Sequence, residues 1–100
     1  MRRSEAIDLL RAREPELRAL GICALSLFGS TARDEAREES DIDLAAALDY
    51  DTLLTAGPFA FFGLSDAIAG MVGRPVDLVT EPARKPALQD EIDRDRVRVY

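Results

Sequence analysis

One hundred residues, 47% of them apolar, suffice for a single domain around one core and leave nothing for a separate substrate-recognition domain. Thirteen basic against nineteen acidic residues give a net charge of −6, which argues against direct nucleic-acid binding, since that needs clustered Lys and Arg to neutralise phosphates. With no signal peptide and no apolar run near about 18 residues, the chain is expected to be cytoplasmic, with no membrane partner.

Ser4 is placed to cap a first helix whose Ile7 and Leu10 share one face. That helix should end before Pro15, because Glu14 is biased away from helical geometry. A helical turn through Leu17 and Leu20 follows. Ile22 to Phe28 reads as a buried strand, with the lone Cys23 as a small buried apolar residue in it. Gly29-Ser30 then turns the chain into a short helix over Thr31 to Ala36. Arg37-Glu38-Glu39 is a solvated loop into a second strand, Asp41 to Leu48, closed by Asp49-Tyr50-Asp51.

Phe61, Leu64, Ile68 and Met71 have helical spacing and form a core stripe, stopped by Gly73 and Pro75 before a third strand around Val76 to Val79. The tail opens with Pro82 and Pro86, runs as a helix with Leu88 and Ile92 at i, i+4, and finishes as an edge strand over Arg96 to Tyr100. Alternating strands and helices indicate an α/β sandwich around a small sheet. Three of the four phenylalanines crowd into Gly57 to Phe62. With Phe61 in the core stripe, Phe59 or Phe62 is left either as an exposed apolar partner surface or as cover for the sheet's end.

The chemistry gathers in three segments. Leu27-Phe28-Gly29-Ser30-Thr31-Ala32-Arg33 is a strand, a sharp turn and a helix start, whose free N–H groups suit an anion. In Ser40-Asp41-Ile42-Asp43-Leu44 the two acids stand at i and i+2 of a strand, on one face and about 7 Å apart, while Ile42 and Leu44 face the core. Such carboxylates repel one another and attract a hard divalent cation. In Arg74-Pro75-Val76-Asp77-Leu78-Val79, Asp77 is an inward acid in an apolar run, which otherwise costs several kcal/mol. Any one of these motifs has an ordinary structural explanation, but acids alternating with Ile, Leu and Val in strand-like runs need metal or hydrogen-bond partners.

Together these residues resemble the DNA polymerase beta-like nucleotidyltransferase superfamily and, within it, the minimal nucleotidyltransferase (MNT) proteins. The likeness rests on Phe28-Gly29-Ser30-Thr31-Ala32-Arg33, on Ser40-Asp41-Ile42-Asp43-Leu44 and on Pro75-Val76-Asp77-Leu78-Val79, in that order. It implies an α/β (α+β) fold with a small mixed sheet flanked by helices, one domain over residues 1–100, and a Mg2+-dependent enzyme that moves AMP from ATP. By resemblance Asp41, Asp43 and Asp77 are the catalytic acids that bind two magnesium ions. Gly29, Ser30, Arg33 and Ser40 are the nucleotide-binding residues. One departure is Asp34, where many relatives have glycine.

MNT-like proteins are commonly encoded beside a HEPN-domain toxin and act as its antitoxin by adenylylating it, so the resemblance implies a toxin tyrosine as acceptor. Two alternatives stay open: an antitoxin that acts by binding alone, its site idle, and transfer to a small molecule such as an aminoglycoside.

Overall fold

The computed structural model describes residues 1–37, 40–57 and 60–100. The elements are α1 (Arg3–Arg11), α2 (Glu14–Ala19), β1 (Ile22–Phe28), α3 (Gly29–Ala32), β2 (Ile42–Leu48), α4 (Tyr50–Ala56), a 3-10 turn (Phe61–Gly63), α5 (Leu64–Val72), β3 (Val76–Thr80), α6 (Pro86–Asp95) and β4 (Val97–Arg98). The strands form one mixed sheet in the order β3-β2-β1-β4. β1 runs antiparallel to β2 and β4, whereas β2 and β3 are parallel and are joined by a crossover through α4 and α5. No single helix among the described residues is long and apolar enough to cross a membrane.

The two-residue period of the strands sorts the side chains onto two faces. Leu25 and Leu27 of β1, Ile42, Leu44 and Ala46 of β2, and Val76 and Leu78 of β3 pack on the larger face. There they meet Ala6 and Leu10 of α1, Leu17 of α2, Leu53 of α4, and Leu64, Ile68 and Val72 of α5. The alternate residues Phe28, Ala45 and Val79 point the other way, against Leu88 and Ile92 of α6. Completely buried Leu10, Leu17, Leu25, Leu27, Leu44, Ile68 and Ile92 each contribute about 1.5–3 kcal/mol relative to exposure.

A polar cluster ties α6 to Ser26 of β1 and to Glu81, just past the end of β3. Arg96 donates to Glu81 Oε1 at 2.8 Å and to Ser26 Oγ at 3.1 Å. Gln89 joins it by donating to Glu81 at 3.0 Å and accepting the Ala83 N–H at 2.8 Å. The Arg96 guanidinium holds the Glu81 carboxyl below its ordinary range.

Several local expectations are corrected. Ser4 lies inside the first turn of α1, which starts with Arg2 as an N-cap that makes no side-chain bond. The cap comes from across the fold, where Asp34 Oδ1 accepts the Arg3 N–H at 3.0 Å. Glu14 is helical, since Pro15 sits in the first turn of α2, where its missing N–H is no loss. The helix after Gly29-Ser30 is a single turn ending at Ala32, well short of Ala36. Asp49-Tyr50-Asp51 begins α4, with the Asp49 carboxylate accepting the Asp51 and Thr52 N–H groups at 3.1 and 3.3 Å. Cys23 is exposed, its thiol bonded to the Ala47 carbonyl. Phe61 lies outside the core stripe, 47% exposed, because the 3-10 turn shifts it off the face of α5. Phe62 is 74% exposed, as one of the two alternatives had it, and packs edge to face on Phe61. Phe59 and the Glu38-Glu39 part of the loop lie outside the described residues.

Asp34 has φ 60°, a left-handed conformation in which a side chain is normally unfavourable and Asp is among the better-tolerated residues. Asp34→Ala is therefore expected to lower stability by about 1–2 kcal/mol, since it loses the bond to Arg3 and keeps the strained φ. Asp34→Gly relieves the strain and should lose less. Urea unfolding of the pair checks the order, and equal losses would defeat the backbone account.

Candidate active site

The smaller covered face of the sheet carries the acids. Asp43 is the second residue of β2, and the parallel register places Asp77 of β3 beside it, so both side chains leave the same face of neighbouring strands. On its other side Asp43 is opposite Phe28, the last residue of β1. Gly29, which follows, has φ 69°, and a Cβ built there would lie 2.3 Å from Asp43 Oδ2. Glycine is needed twice over: for the left-handed turn, and for the contact of backbone with carboxylate.

Asp41 immediately precedes β2, which starts at Ile42 rather than at Asp41, and it is exposed. Asp77 is also exposed, contrary to its reading as an inward acid, because β3 is the edge of the sheet and its Asp77 face is not covered there. Burial pushes the Asp43 carboxyl up from 3.8 to about 6, and the charges of Asp77, Glu91 and Asp41 push in the same direction, with Arg33 opposing them. No hydrogen-bond donor among the described residues serves the side chains of Asp41, Asp43 or Asp77.

That is the electrostatic condition a hard divalent cation relieves, and the all-oxygen donor set is the one such ions prefer. The residues fit in chemistry. No three acidic side chains among the described residues already converge on one point. Coordination by all three acids therefore needs side-chain rotation, for which exposed Asp41 and Asp77 have room.

The remaining predicted residues divide. Ser30 follows Gly29 in α3 and is half-buried. Arg33 stands at the end of that turn, its Nε on Glu35 at 3.2 Å and its NH1 on Asp95 of α6 at 2.6 Å. Ser40 Oγ accepts the Arg37 N–H at 3.0 Å. Two acids of α6, Glu91 and Asp95, went unnoticed in the sequence. They stand at i, i+4 beside the Leu88–Ile92 stripe that seats the helix on this face, so the polar border of that stripe was the available signal.

Known proteins share this sequence pattern and this fold. The family model described as Polymerase beta, Nucleotidyltransferase matches residues 16–100. A Methanocaldococcus jannaschii protein, provisionally named a protein adenylyltransferase, is 35% identical over 98 residues, covering 96% of each chain. The protein adenylyltransferase MntA of Thermococcus cleftensis is 30% identical over 96 residues, covering 95% of this chain and 93% of its own. Among solved structures, one provisionally described as a minimal nucleotidyltransferase superposes with a TM-score of 0.66 at 34% identity, covering 91% of this chain and 93% of that one. Two more distant structures share the fold. One is a toxin–antitoxin with AMP-PNP, with a TM-score of 0.65, 22% identity and 100% of this chain on 73% of that one. The other holds a tri-AMPylated Shewanella oneidensis HEPN toxin with its MNT antitoxin, with a TM-score of 0.63, 20% identity and 94% of this chain on 71% of that one. With a Gly-Ser turn against paired strand carboxylates and a family match over most of its length, the chain belongs to the polymerase beta nucleotidyltransferase family, in its minimal MNT-type branch, and is a nucleotidyltransferase.

Proposed function

We propose that the protein transfers AMP from ATP to a protein hydroxyl, that the acceptor is a tyrosine of a cognate HEPN-domain toxin, and that it thereby acts as an antitoxin. The observation that carries the chemistry is the pairing of Asp43 with Asp77 across parallel strands, with the Gly29 turn pressed against Asp43. The acceptor is inferred from the AMPylated HEPN toxin bound to the MNT antitoxin of the distant structural relative.

In this reading Gly29 and Ser30 bring backbone close to the triphosphate, and Arg33 adds a positive charge beside it. Asp43 and Asp77, joined by Asp41, are the residues that would hold magnesium, and when bound it would supply positive charge against the triphosphate. The acceptor oxygen forms a bond to the α-phosphorus, the bond from that phosphorus to the oxygen bridging to the β-phosphate breaks, and pyrophosphate leaves. The hydroxyl proton goes to Asp77, whose place on an edge strand leaves it open to a large acceptor. The Ser40 hydroxyl, next to Asp41, accepts the Arg37 N–H and so acts on the site indirectly.

A second reading, neutralisation by binding alone, draws on the exposed Tyr50, Leu54 and Phe62, which are 61%, 79% and 74% exposed on the crossover side. Label transfer into a lysate of the source cell, with magnesium and ATP labelled at the α- or the γ-phosphate, decides between them. Transfer from the α-position alone is expected, onto one protein. Absence of transfer from either position, with a partner still co-purifying, would favour binding alone.

A further inference from the structure

The pair Arg33–Asp95 joins residues 62 apart in sequence, the first directly after the single turn α3 and the second in the last turn of α6. The Asp95 side chain is only 6% exposed, while that of Arg33 is 42% exposed. The acid is thus the fixed member, and the guanidinium reaches outward from it. α6 cannot easily shift, since Ile92 is completely buried against Phe28 and Ala45. Asp95 takes NH1 at 2.6 Å and Glu35 takes Nε at 3.2 Å.

A guanidinium is planar and rigid, so holding it at two of its nitrogens fixes the plane in which the remaining donors lie. NH2 has no partner among the described residues. Arg33 follows the Gly29–Ala32 turn and reaches Asp95 of α6, the helix packed on Phe28 and Ala45, so it stands on the same face of the sheet as the paired acids. Arg94 also donates to Asp95, at a longer 3.5 Å, so the closer partner of the acid is Arg33.

We infer that Asp95 is a positioning residue: from α6 it holds the Arg33 guanidinium in one orientation beside the Gly29-Ser30 turn, so that the free edge of Arg33 meets the phosphates of a nucleoside triphosphate. The inference rests on the nucleotidyltransferase reading above and adds a contribution from the C-terminal helix. The bland alternative is that the ion pair only staples α6 to α3. The two differ in what they do to nucleotide affinity when Arg33 is already absent.

Calorimetric titration of the whole chain with AMP-PNP and magnesium separates them, with a thermal melt for every variant. Asp95→Asn is expected to weaken binding about tenfold, and Asp95→Glu to recover most of that, because the charge-assisted bond returns. In an Arg33→Ala background Asp95→Asn should change affinity less than about twofold, since the residue acts only through Arg33. Transfer assays should show the loss in KM for ATP, with kcat within about threefold of the parent.

Should Asp95→Asn fail to fold, Arg33→Lys carries the test, for it keeps the charge but cannot be held at two nitrogens. Full affinity in Arg33→Lys would overturn the inference. So would full affinity in Asp95→Asn, or an equal loss with and without Arg33, and either result leaves the nucleotidyltransferase reading standing. No binding by the parent chain would overturn that reading, and this inference with it.

Discussion

Asp43→Asn is expected to abolish adenylyl transfer and, in the same protein, to raise the melting temperature. The loss follows from removing a carboxylate at the centre of the paired acids and should be on the order of 10³-fold. The stabilisation follows from the sign of the pKa change. Asp43 rises from 3.8 to about 6 on folding, first through burial and then through Asp77, Glu91 and Asp41. Between those values the folded state binds a proton that the unfolded chain does not. Stability from this group is therefore complete below about pH 4 and is lost as pH rises through about 6. Above pH 6 the ionised carboxylate works against the fold. The full shift corresponds to about 3 kcal/mol, and partial exposure to solvent reduces that to about 1–2 kcal/mol.

Asparagine keeps the shape and drops the charge, so at pH 7.5 in chelator the variant should melt about 4–10 °C above the parent. At pH 4.5 the advantage should shrink, because the parent carboxyl is then protonated in the fold. A variant that melts lower than the parent at pH 7.5 would show that Asp43 is held by favourable partners and not crowded by like charges.

Gly29→Ala is expected to be the most damaging single methyl in the chain. The left-handed φ of 69° penalises any side chain, and the new Cβ would stand 2.3 Å from Asp43 Oδ2 and 3.2 Å from its Cγ. The conformational part costs about 1–2 kcal/mol, and relief of the clash brings the total to about 2–4 kcal/mol. Because the relief has to come from Asp43 turning aside, transfer should fall at least about 100-fold even at temperatures where the variant is folded. Urea unfolding of Gly29→Ala alone and with Asp43→Gly divides the two causes. The second change should return the clash and leave the conformational cost. Equal losses in both backgrounds would mean that the close approach of turn and carboxylate carries no energy.

What the sequence made legible was local. The first strand has its observed limits because seven apolar and small residues end at a glycine that can only turn. The tail helix was readable from the Leu88–Ile92 spacing, and its edge strand from alternation. The mixed sheet followed from family likeness, since strand direction leaves no periodic trace. Where reading failed, the cause was tertiary. The α1 cap comes from Asp34, 31 residues away, so a nearby Ser4 looked sufficient. α4 buries only Leu53, too little to show a stripe. Asp77 seemed inward because its neighbours are apolar, yet burial there depends on what covers an edge strand. The acids facing each other, and Arg33 meeting Asp95, are consequences of register and packing that no segment contains alone.

The division of the sheet into two faces also shapes how such a protein can change over generations. The reactive side is assembled from β1, α3, β2, β3 and α6, and a substitution there disturbs several coupled charges at once. The crossover through α4 and α5 lies on the opposite side, held by a few inward residues such as Leu53, Leu64, Ile68 and Val72, with the rest of its surface exempt from the chemistry. Substitutions on that surface change the exterior of the molecule while leaving the coupled charges intact, so the two faces are free to diverge at different rates.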